Sequence, residues 1–346
     1  MNLYNSFKSC AFKFDPEKVH DLSIQLFENL PQMGHLMSPK TDKRHQLKKG
    51  HLLWKTPIGL AAGFDKNARA LDFLSNLGFG SVEFGTVTPR AQVGNAKPRI
   101  KRFESELSLL NSMGFPNHGA DAILRNVRSA NLTKACPIGA NLGKNKDTSD
   151  SNAPMDYATL YEKFAPEVDY LTINISSPNT PGLRALQSRE GFFNIAAEIS
   201  KKRKACPKPL FLKIAPELGT KDLEDLIDIA TQFNFSGIIA TNTSVSHERG
   251  QGGLSGEAIK EEARIARSRV LDATRSIQDF IVIGAGGIST FEDVLDFWKL
   301  GGDFVQIYTS FIYKGPGILK EFKEGINTLL QTTGAATLQE WKDSLK

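Results

Sequence analysis

The sequence has little of the residue types that would identify a chemistry at once. Its 346 residues include only three cysteines, Cys10, Cys136 and Cys206, which are scattered and odd in number. They form neither a disulfide framework nor a C-x-x-C pair, and such usage suits a reducing compartment. The six histidines show no H-x-x-x-H spacing, so we predict no metal site.

Long apolar runs and a strong charge of one sign are also missing. No stretch approaches the roughly 18 uncharged apolar residues that a spanning helix needs, and no apolar segment with a cleavage site begins the chain. The net charge of +5 is too small and diffuse to indicate nucleic-acid binding. With 40% hydrophobic and 23% charged residues, the composition is that of a soluble globular protein.

The first 35 residues predict two amphipathic helices. Apolar residues recur at helical spacing over 3–14 and again over 19–30. Between them, Asp15 fits a helix N-cap and Pro16 fits the first helical position. Residues 36–50 are polar and basic, and they predict a linker.

After residue 50 the pattern changes to short, continuous apolar runs, which predict parallel strands buried on both faces. Eight runs in about 250 residues are typical of a (β/α)8 TIM barrel, so we predict this α/β fold with an N-terminal two-helix extension. A doubly wound open sheet is the alternative, but no G-x-G-x-x-G follows the first run. The runs lie at 58–62, 81–85, 137–142, 169–175, 210–215, 237–241, 280–284 and 303–308.

Two long connections interrupt the regular succession of apolar runs. The segment 87–136 is an insertion of a length that is more often functional than idle. The segment 176–190 is rich in Ser, Pro, Asn and Gly, and it predicts a mobile loop.

The residues after each strand of a barrel line its active site. Here they are amides, lysines, hydroxyls and glycines, with no carboxylate pair and no Ser-His-Asp set. Amides and lysines suit a planar anionic ligand, and glycines after the last strands suit a phosphate held by backbone N–H groups. We therefore predict a phosphate-bearing cofactor such as FMN beside a small anionic substrate.

Each of these features also has a simpler structural interpretation. A single Asn at a strand end is more often a turn residue, and glycines after strands are common punctuation. Lys213 lies inside an apolar run, where an unpaired Lys is costly, so a functional role is favoured for it. Asn174, at the end of another run, is favoured in the same way.

Nine motifs, read in order, resemble the dihydroorotate dehydrogenase family from the first helix to about residue 325. They are GLAAGFDKN, EFGTVTPRAQVGN-x-KPR, NSMGF, INISSPNTPGLR, LKIAPEL, ATNT, QGGLSG, GAGGI and VQIYTSFIYKGP. Two features resemble the quinone-dependent, membrane-associated class 2 of that family: Ser177 stands where the soluble classes have cysteine, and a helix pair precedes the barrel.

The resemblance implies oxidation of (S)-dihydroorotate to orotate in de novo pyrimidine (UMP) biosynthesis, with one FMN per chain and a membrane quinone, ubiquinone or menaquinone, as final acceptor. It implies Ser177 as the general base. The implied cofactor-binding residues are Ala62, Gly63, Phe64, Asp65, Lys66, Thr86, Asn141, Asn174, Lys213, Thr241, Gly256, Gly287, Tyr308 and Thr309. The implied substrate-binding residues are Lys66, Asn111, Ser112, Met113, Gly114, Phe115, Asn174, Asn179, Asn242 and Thr243. The implied quinone tunnel is lined by His20, Arg102 and Tyr308.

Lys101 stands where the family usually has an apolar residue, and a clearer departure from the family pattern lies in NSMGF. The family commonly reads N-R-M-G-F, whereas this chain has Ser112 in place of the arginine. Contacts at this position are often made through the backbone, so the segment stays among the implied substrate-binding residues.

The resemblance also divides the chain in two. Residues 1–50 are expected to form a helix pair and linker for membrane and quinone access, and 51–346 the FMN-binding barrel. Eight Lys/Arg and five Asp/Glu lie in 1–50, which favours peripheral contact with anionic lipid at the cytoplasmic face of a bacterial inner membrane. A helix pair that only caps the barrel bottom is the simpler alternative. Neither nucleic acid nor an obligate protein partner is expected.

Three other functions remain open at this stage. One is a soluble dihydroorotate dehydrogenase that uses fumarate or NAD. Another is a different FMN barrel, such as a hydroxy-acid oxidase, which would need a histidine base at a strand end. The third is a flavin-binding protein without turnover.

Overall fold

The continuous apolar runs become the strands of a closed barrel. The computed structural model describes residues 3–40, 42–132 and 136–345. The strands are β1 (Leu47–Lys49), β2 (Leu52–Trp54), β3 (Ile58–Leu60), β4 (Val82–Val87), β5 (Ile100–Phe103), β6 (Ser108–Asn111), β7 (Ile138–Leu142), β8 (Tyr170–Asn174), β9 (Leu210–Ile214), β10 (Gly237–Ala240), β11 (Gly253–Gly256), β12 (Ile281–Ala285) and β13 (Phe304–Ile307). The helices are α1 (Leu3–Ala11), α2 (Pro16–Asn29), α3 (Gln32–Met37), α4 (Leu71–Asn76), α5 (Ala120–Ser129), α6 (Ala153–Phe164), α7 (Arg189–Arg203), α8 (Thr220–Gln232), α9 (Lys260–Thr274), α10 (Phe291–Lys299), α11 (Thr309–Lys314), α12 (Gly317–Thr333) and α13 (Leu338–Asp343).

Eight parallel strands close the barrel in the order β3-β4-β7-β8-β9-β10-β12-β13. Every residue of these strands is buried, because side chains on one face pack inside the barrel and those on the other face pack under the helices. Each predicted run overlaps one strand, and the bounds of run and strand differ by at most two residues. The predicted (β/α)8 barrel is therefore confirmed, and the open sheet is excluded.

A short hairpin closes the end of the barrel where the strands begin. β1 pairs antiparallel with β2, and the Trp54 ring packs on Phe304 with 4.4 Å between ring centroids. Leu47 and Leu52 join Trp54 in one buried cluster with residues of β8, β9, β10, β12 and β13. The segment 36–50, expected to be a linker, thus contains part of α3, a 3-10 turn and β1. The proposed boundary at residue 50 lies in the hairpin turn.

The N-terminal helices lie at the opposite end, over α11, which follows the last strand. Asp15 caps α2 by accepting a hydrogen bond from the backbone N–H of Lys18 at 2.9 Å, as the sequence predicts. The Tyr4 hydroxyl donates to the carbonyl of Ile312. The alternative in which these helices cap the barrel bottom is therefore wrong, because the hairpin occupies that end. A third, shorter helix, α3, follows the expected pair.

The described part of the long insertion contributes two strands to a second sheet. β5 pairs antiparallel with β6, and β6 with β11. This sheet joins the connection after β4 to the connection after β10. Among the described residues, no helix has both the length and the apolar content needed to cross a bilayer.

A buried ion pair fastens α2 to the insertion. The Arg99 guanidinium donates to the Glu17 carboxylate through Nη2 at 2.5 Å and Nε at 3.1 Å, and their side chains are only 6% and 11% exposed. Nη1 of Arg99 donates to the carbonyls of Val93 and Asn95. Burial raises the pKa of Glu17, but the hydrogen bonds and charge of Arg99, with Lys97, outweigh it, so the pKa of Glu17 is lowered.

We expect Arg99→Met to lower the free energy of unfolding by about 3 kcal/mol or more at neutral pH, because it removes the buried partner of Glu17 and leaves only the exposed Lys97 ammonium at 3.4 Å. Arg275→Met, which removes an exposed pair with Asp272, is the matched control and should cost under about 0.5 kcal/mol. Denaturant unfolding measures both. Since the folded pKa of Glu17 is lowered, its stabilisation is present above the unfolded pKa near 4.5 and is lost as the pH falls through the folded value. Equal unfolding midpoints for Arg99→Met and wild type would contradict the assignment.

Candidate active site

One cavity of about 310 Å³ runs from the N-terminal helices to the ends of the barrel strands. Its outer part is lined by apolar residues of α1 and α2 and the turn between them, among them Tyr4, Phe7 and Phe12. Its inner part is lined by amides and lysines. Most of the predicted site residues line this cavity, and Asp65, Ser112 and Asn141 lie outside its lining.

A carboxylate at the barrel centre links side chains from several strands beneath the inner part of the cavity. Glu83 is fully buried and accepts hydrogen bonds from Asn141 Nδ2 at 2.8 Å, Gln306 Nε2 at 2.8 Å and Thr172 Oγ1 at 3.1 Å. The Asn141 Oδ1 in turn accepts from Asn174 Nδ2 at 3.0 Å. Asn141 therefore supports Asn174 from behind rather than facing the cavity.

Lys213 projects from β9 into the same region. It is 6% exposed and, within the part of the chain that the structure describes, its ammonium makes no hydrogen bond. Burial lowers the pKa of Lys213, while the charge of Glu83 opposes that change. A buried cation that lines a cavity without a hydrogen-bonding partner suits an electron-rich ligand edge, and a flavin ring has such an edge.

Glycines let a ligand approach the backbone at the far wall. Gly256 and Gly287 have φ of +94° and +67°. A Cβ on Gly256 would lie 2.3 Å from the carbonyl oxygen of Leu107, and one on Gly287 would lie 2.4 Å from the Cα of Lys260. Only glycine fits at these two positions. Both line the cavity together with Thr309 at the start of α11, and this polar, backbone-rich wall fits a phosphate group.

Four asparagines converge on the inner cavity. Asn179 Nδ2 donates to Asn111 Oδ1 at 3.1 Å, and Asn242 Nδ2 lies 3.3 Å from Asn174 Oδ1. Ser112 contributes through its backbone: its carbonyl accepts a hydrogen bond from Asn95 Nδ2, and its N–H donates to the backbone carbonyl of Arg99. The structure thus brings residues that follow β6, β8 and β10 to one place.

Ser177 follows β8 and is 6% exposed. Its Oγ accepts a hydrogen bond from the backbone N–H of Asn179 at 3.3 Å. Thr180, three residues on, has a buried Oγ1 with no partner among the described residues. Both residues line a second cavity of about 290 Å³. The segment 176–190, expected to be a loop, also contains a 3-10 turn, Leu183–Gln187.

Lys66 lies where the polar and apolar parts of the cavity meet. Its Nζ is 3.4 Å from His20 Nε2, and burial lowers the pKa of Lys66 to about 8. Burial, followed by the charge of Lys66, holds the pKa of His20 well below its ordinary value. His20 is therefore neutral. Because a protonated Lys66 can only donate, its Nζ donates the hydrogen bond and Nε2 of His20 accepts it.

Two predicted tunnel residues organise the apolar part. Arg102 donates to the carbonyls of Phe12 and Phe14 at 3.1 and 2.9 Å, and its guanidinium lies 4.4 Å from the centre of the Phe12 ring. It therefore holds the turn between α1 and α2. Tyr308 packs edge-on against Phe64, with 6.0 Å between ring centroids.

Sequence reasoning missed some residues of this site. Glu83 is a charge within an otherwise apolar strand, which is the same signal that singled out Lys213. Tyr4 and Phe12 carry only the general signal of an amphipathic helix.

Comparisons with known proteins agree with this geometry. A family profile described as dihydroorotate dehydrogenase matches residues 46–330. A protein named dihydroorotate dehydrogenase (quinone) from Christiangramia forsetii is 39% identical over 331 residues, which cover 91% of this chain and 96% of that protein. One of the same name from Nitratiruptor sp. is 40% identical, with 97% of each chain covered.

A crystal structure of DHODH from Eimeria tenella in complex with ferulenol has a similar fold, with a TM-score of 0.85. It is 33% identical in sequence and covers 94% of both chains. The barrel, the polar inner cavity and the matched sequence together show that this chain belongs to the dihydroorotate dehydrogenase family.

Proposed function

We propose that this chain oxidises (S)-dihydroorotate to orotate for pyrimidine (UMP) biosynthesis, with FMN as hydride acceptor and a membrane quinone as final electron acceptor. One observation carries the proposal: a single cavity joins a chamber of amides and lysines to an apolar passage beneath α1 and α2. The chamber suits a small planar anion, and the passage suits a hydrophobic molecule. Two substrates of opposite character would thus reach one cofactor.

The residues that would hold FMN share the wall formed by the strand ends, and Lys213 would place a positive charge beside the ring. When bound there, FMN would supply the acceptor for the hydride from C6 of dihydroorotate. Asp65 and Asn141 would act from behind, since Asp65 accepts from the backbone N–H of Arg69 and Ala70. The set is Ala62, Gly63, Phe64, Asp65, Lys66, Thr86, Asn141, Asn174, Lys213, Thr241, Gly256, Gly287, Tyr308 and Thr309.

The substrate would be held by the four asparagines and Lys66. The amides donate to and accept from the carbonyl and N–H edges of the pyrimidine, and Lys66 pairs with its carboxylate. Met113, Gly114, Phe115 and Thr243 line the same chamber. This frame fixes one face of the ring toward the cofactor.

Ser177 would take the proton from C5. A hydroxyl is a weak base unless another group removes its own proton. Thr180 has a free acceptor in the cavity that it shares with Ser177, so it suits a relay to solvent.

The purified protein is expected to be yellow and to lose its colour when dihydroorotate is added under nitrogen. Ser177→Ala should keep its flavin but reduce it roughly 100-fold more slowly or worse, as loss of a general base predicts. Ser200→Ala, which removes a hydroxyl on the outer helix α7, is the control and should match wild type. Stopped-flow absorbance at several pH values measures the rates. Wild-type-like reduction by Ser177→Ala would rule out the base assignment.

The lowered pKa of Lys66 makes ligand binding pH-dependent. Lys66 carries its charge below a pH of about 8 and loses it above, so orotate should bind more weakly as the pH rises through that value, by roughly tenfold per unit at most. In Lys66→Arg, whose charge does not titrate in this range, the affinity should be lower but independent of pH. Titration of the flavin spectrum with orotate measures both. A flat profile for wild type would contradict the role of Lys66.

We further propose that the N-terminal helices contact the membrane surface at the cytoplasmic face of a bacterial inner membrane, without crossing the bilayer. Large apolar side chains on α1 to α3 and in the turns between them are exposed, and Leu22 and Leu36 reach 65% and 78%. Lys13 and Lys18 are exposed beside them. Exposed apolar and basic residues together favour binding to anionic lipid. The exposed apolar residues are Phe7, Phe14, Leu22, Leu26, Leu30, Met33, Leu36 and Met37.

The double variant Leu22→Glu/Leu36→Glu should lower binding to anionic phospholipid vesicles by roughly tenfold or more, since it removes buried apolar area and adds repulsion. Turnover with a long-chain quinone in those vesicles should fall with it, while anaerobic bleaching by dihydroorotate should not change. Ile265→Glu alters a 49%-exposed residue on the barrel helix α9 and is the control. Undiminished vesicle binding by the double variant would refute membrane contact. Reoxidation of the reduced flavin by fumarate or NAD but not by a quinone would refute the quinone as final electron acceptor.

A further inference from the structure

Two charged residues of the sequence motifs have no place in the proposed chemistry. Arg184 ends INISSPNTPGLR, and Glu217 lies within LKIAPEL. Both lie outside the lining of the large cavity. They nevertheless meet: Arg184 Nη1 lies 3.1 Å from Glu217 Oε2, and each side chain is less than a quarter exposed.

The guanidinium of Arg184 joins segments that follow three different strands. Its Nε donates to the carbonyl of Ser176 at 3.0 Å, and its Nη2 donates to the carbonyl of Thr243 at 3.0 Å. The third contact is Glu217, whose other oxygen accepts from the backbone N–H of Val245. Arg184 and Glu217 therefore connect the ends of β8, β9 and β10.

The positions of these contacts relate directly to the ligand chamber. Ser176 immediately precedes Ser177, and Thr243 immediately follows Asn242. Arg184 also forms part of the wall of the smaller cavity next to Ser177. A change at the guanidinium would therefore alter the separation between Ser177 and Asn242, which both line the chamber.

The turn that carries Arg184 is itself firmly placed. Gly182 has a φ of +71°, which permits the sharp turn before Arg184. Leu183 and Leu186, on either side of Arg184, are buried at 0% and 4% exposure. The anchored backbone leaves the guanidinium fixed relative to the barrel, so it can position the segments that it contacts.

We propose that Arg184, together with Glu217, is a positioning residue that sets the distance between Ser177 and Asn242–Thr243. This inference rests on the proposed function. Arg184 acts through two backbone carbonyls and touches neither substrate nor cofactor. Its rigid fork satisfies three acceptors in different directions, which the single ammonium of a lysine cannot reproduce.

The test uses the flavin-containing enzyme and separates its two half-reactions. Arg184→Gln should lower the limiting rate of anaerobic flavin reduction by dihydroorotate by roughly tenfold to a hundredfold, because small misplacements of reacting groups have effects of that size. It should also weaken orotate binding, read from the flavin spectrum. Reoxidation of the reduced flavin by a short-chain quinone and the flavin content per chain should stay within about twofold of wild type.

Two further variants and a control test the assignment more closely. Arg184→Lys should recover only part of the reduction rate. Glu217→Gln should have a smaller effect than Arg184→Gln, because the contacts with Ser176 and Thr243 remain. Arg189→Gln removes an exposed arginine five residues away, paired with Asp225, and should behave as wild type.

The outcomes distinguish this inference from the function on which it rests. A wild-type flavin that dihydroorotate does not bleach would overturn the proposed function and this inference with it. A bleached wild type with an unaffected Arg184→Gln would overturn the inference alone. Equal losses of flavin content, quinone reoxidation and flavin reduction in Arg184→Gln would show that Arg184 has only a structural role, and would also overturn the inference.

Discussion

The candidate site depends on one carboxylate buried at the centre of the barrel. Glu83 accepts hydrogen bonds from side chains of three other strands, and its charge opposes the lowering of the pKa of Lys213 by burial. A charge in that position is tolerated only when its acceptor sites are filled. The same bonds orient Asn141, which orients Asn174 at the cavity wall. The polarity of the chamber is thus set from inside the barrel rather than from its loops.

One end of the barrel is filled with side chains and the other is only covered, so the cavity opens at one end of the barrel. At the start of the strands, Trp54 and its hairpin fill the opening with apolar side chains. At the other end, the N-terminal helices and the β5-β6-β11 sheet cover the opening without filling it. The buried pair of Glu17 and Arg99 holds that cover in place. The polar chamber therefore opens into an apolar passage rather than directly into solvent.

The barrel was predictable because every strand is buried on both faces and so reads as a continuous apolar run. The chamber was largely predictable because strand ends meet at one rim, which placed Asn174, Lys213 and Asn242 together. The β1-β2 hairpin could not be predicted, because each of its strands has only three residues, too few to show an alternation of apolar and polar residues. The role of Glu83 could not be predicted, because an apolar run does not show which partners a single charge within it will meet. The contact of Arg184 with Glu217 joins residues 33 positions apart in sequence, and local spacing cannot predict a contact at that separation. Of the predicted cofactor residues, Asp65 and Asn141 lie behind the wall, since a strand-end position does not specify which way a side chain points.

The contact between Lys66 and His20 makes the two compartments thermodynamically dependent on each other. An anion in the polar chamber strengthens the charge on Lys66 and so changes the hydrogen bond that His20 receives at 3.4 Å. A molecule in the apolar passage that engages His20 changes the same bond from the other side. By reciprocity of linkage, whatever the first ligand does to the affinity of the second, the second does to the first. Through Lys66, a ligand bound in one compartment therefore changes the affinity of the other compartment for its own ligand.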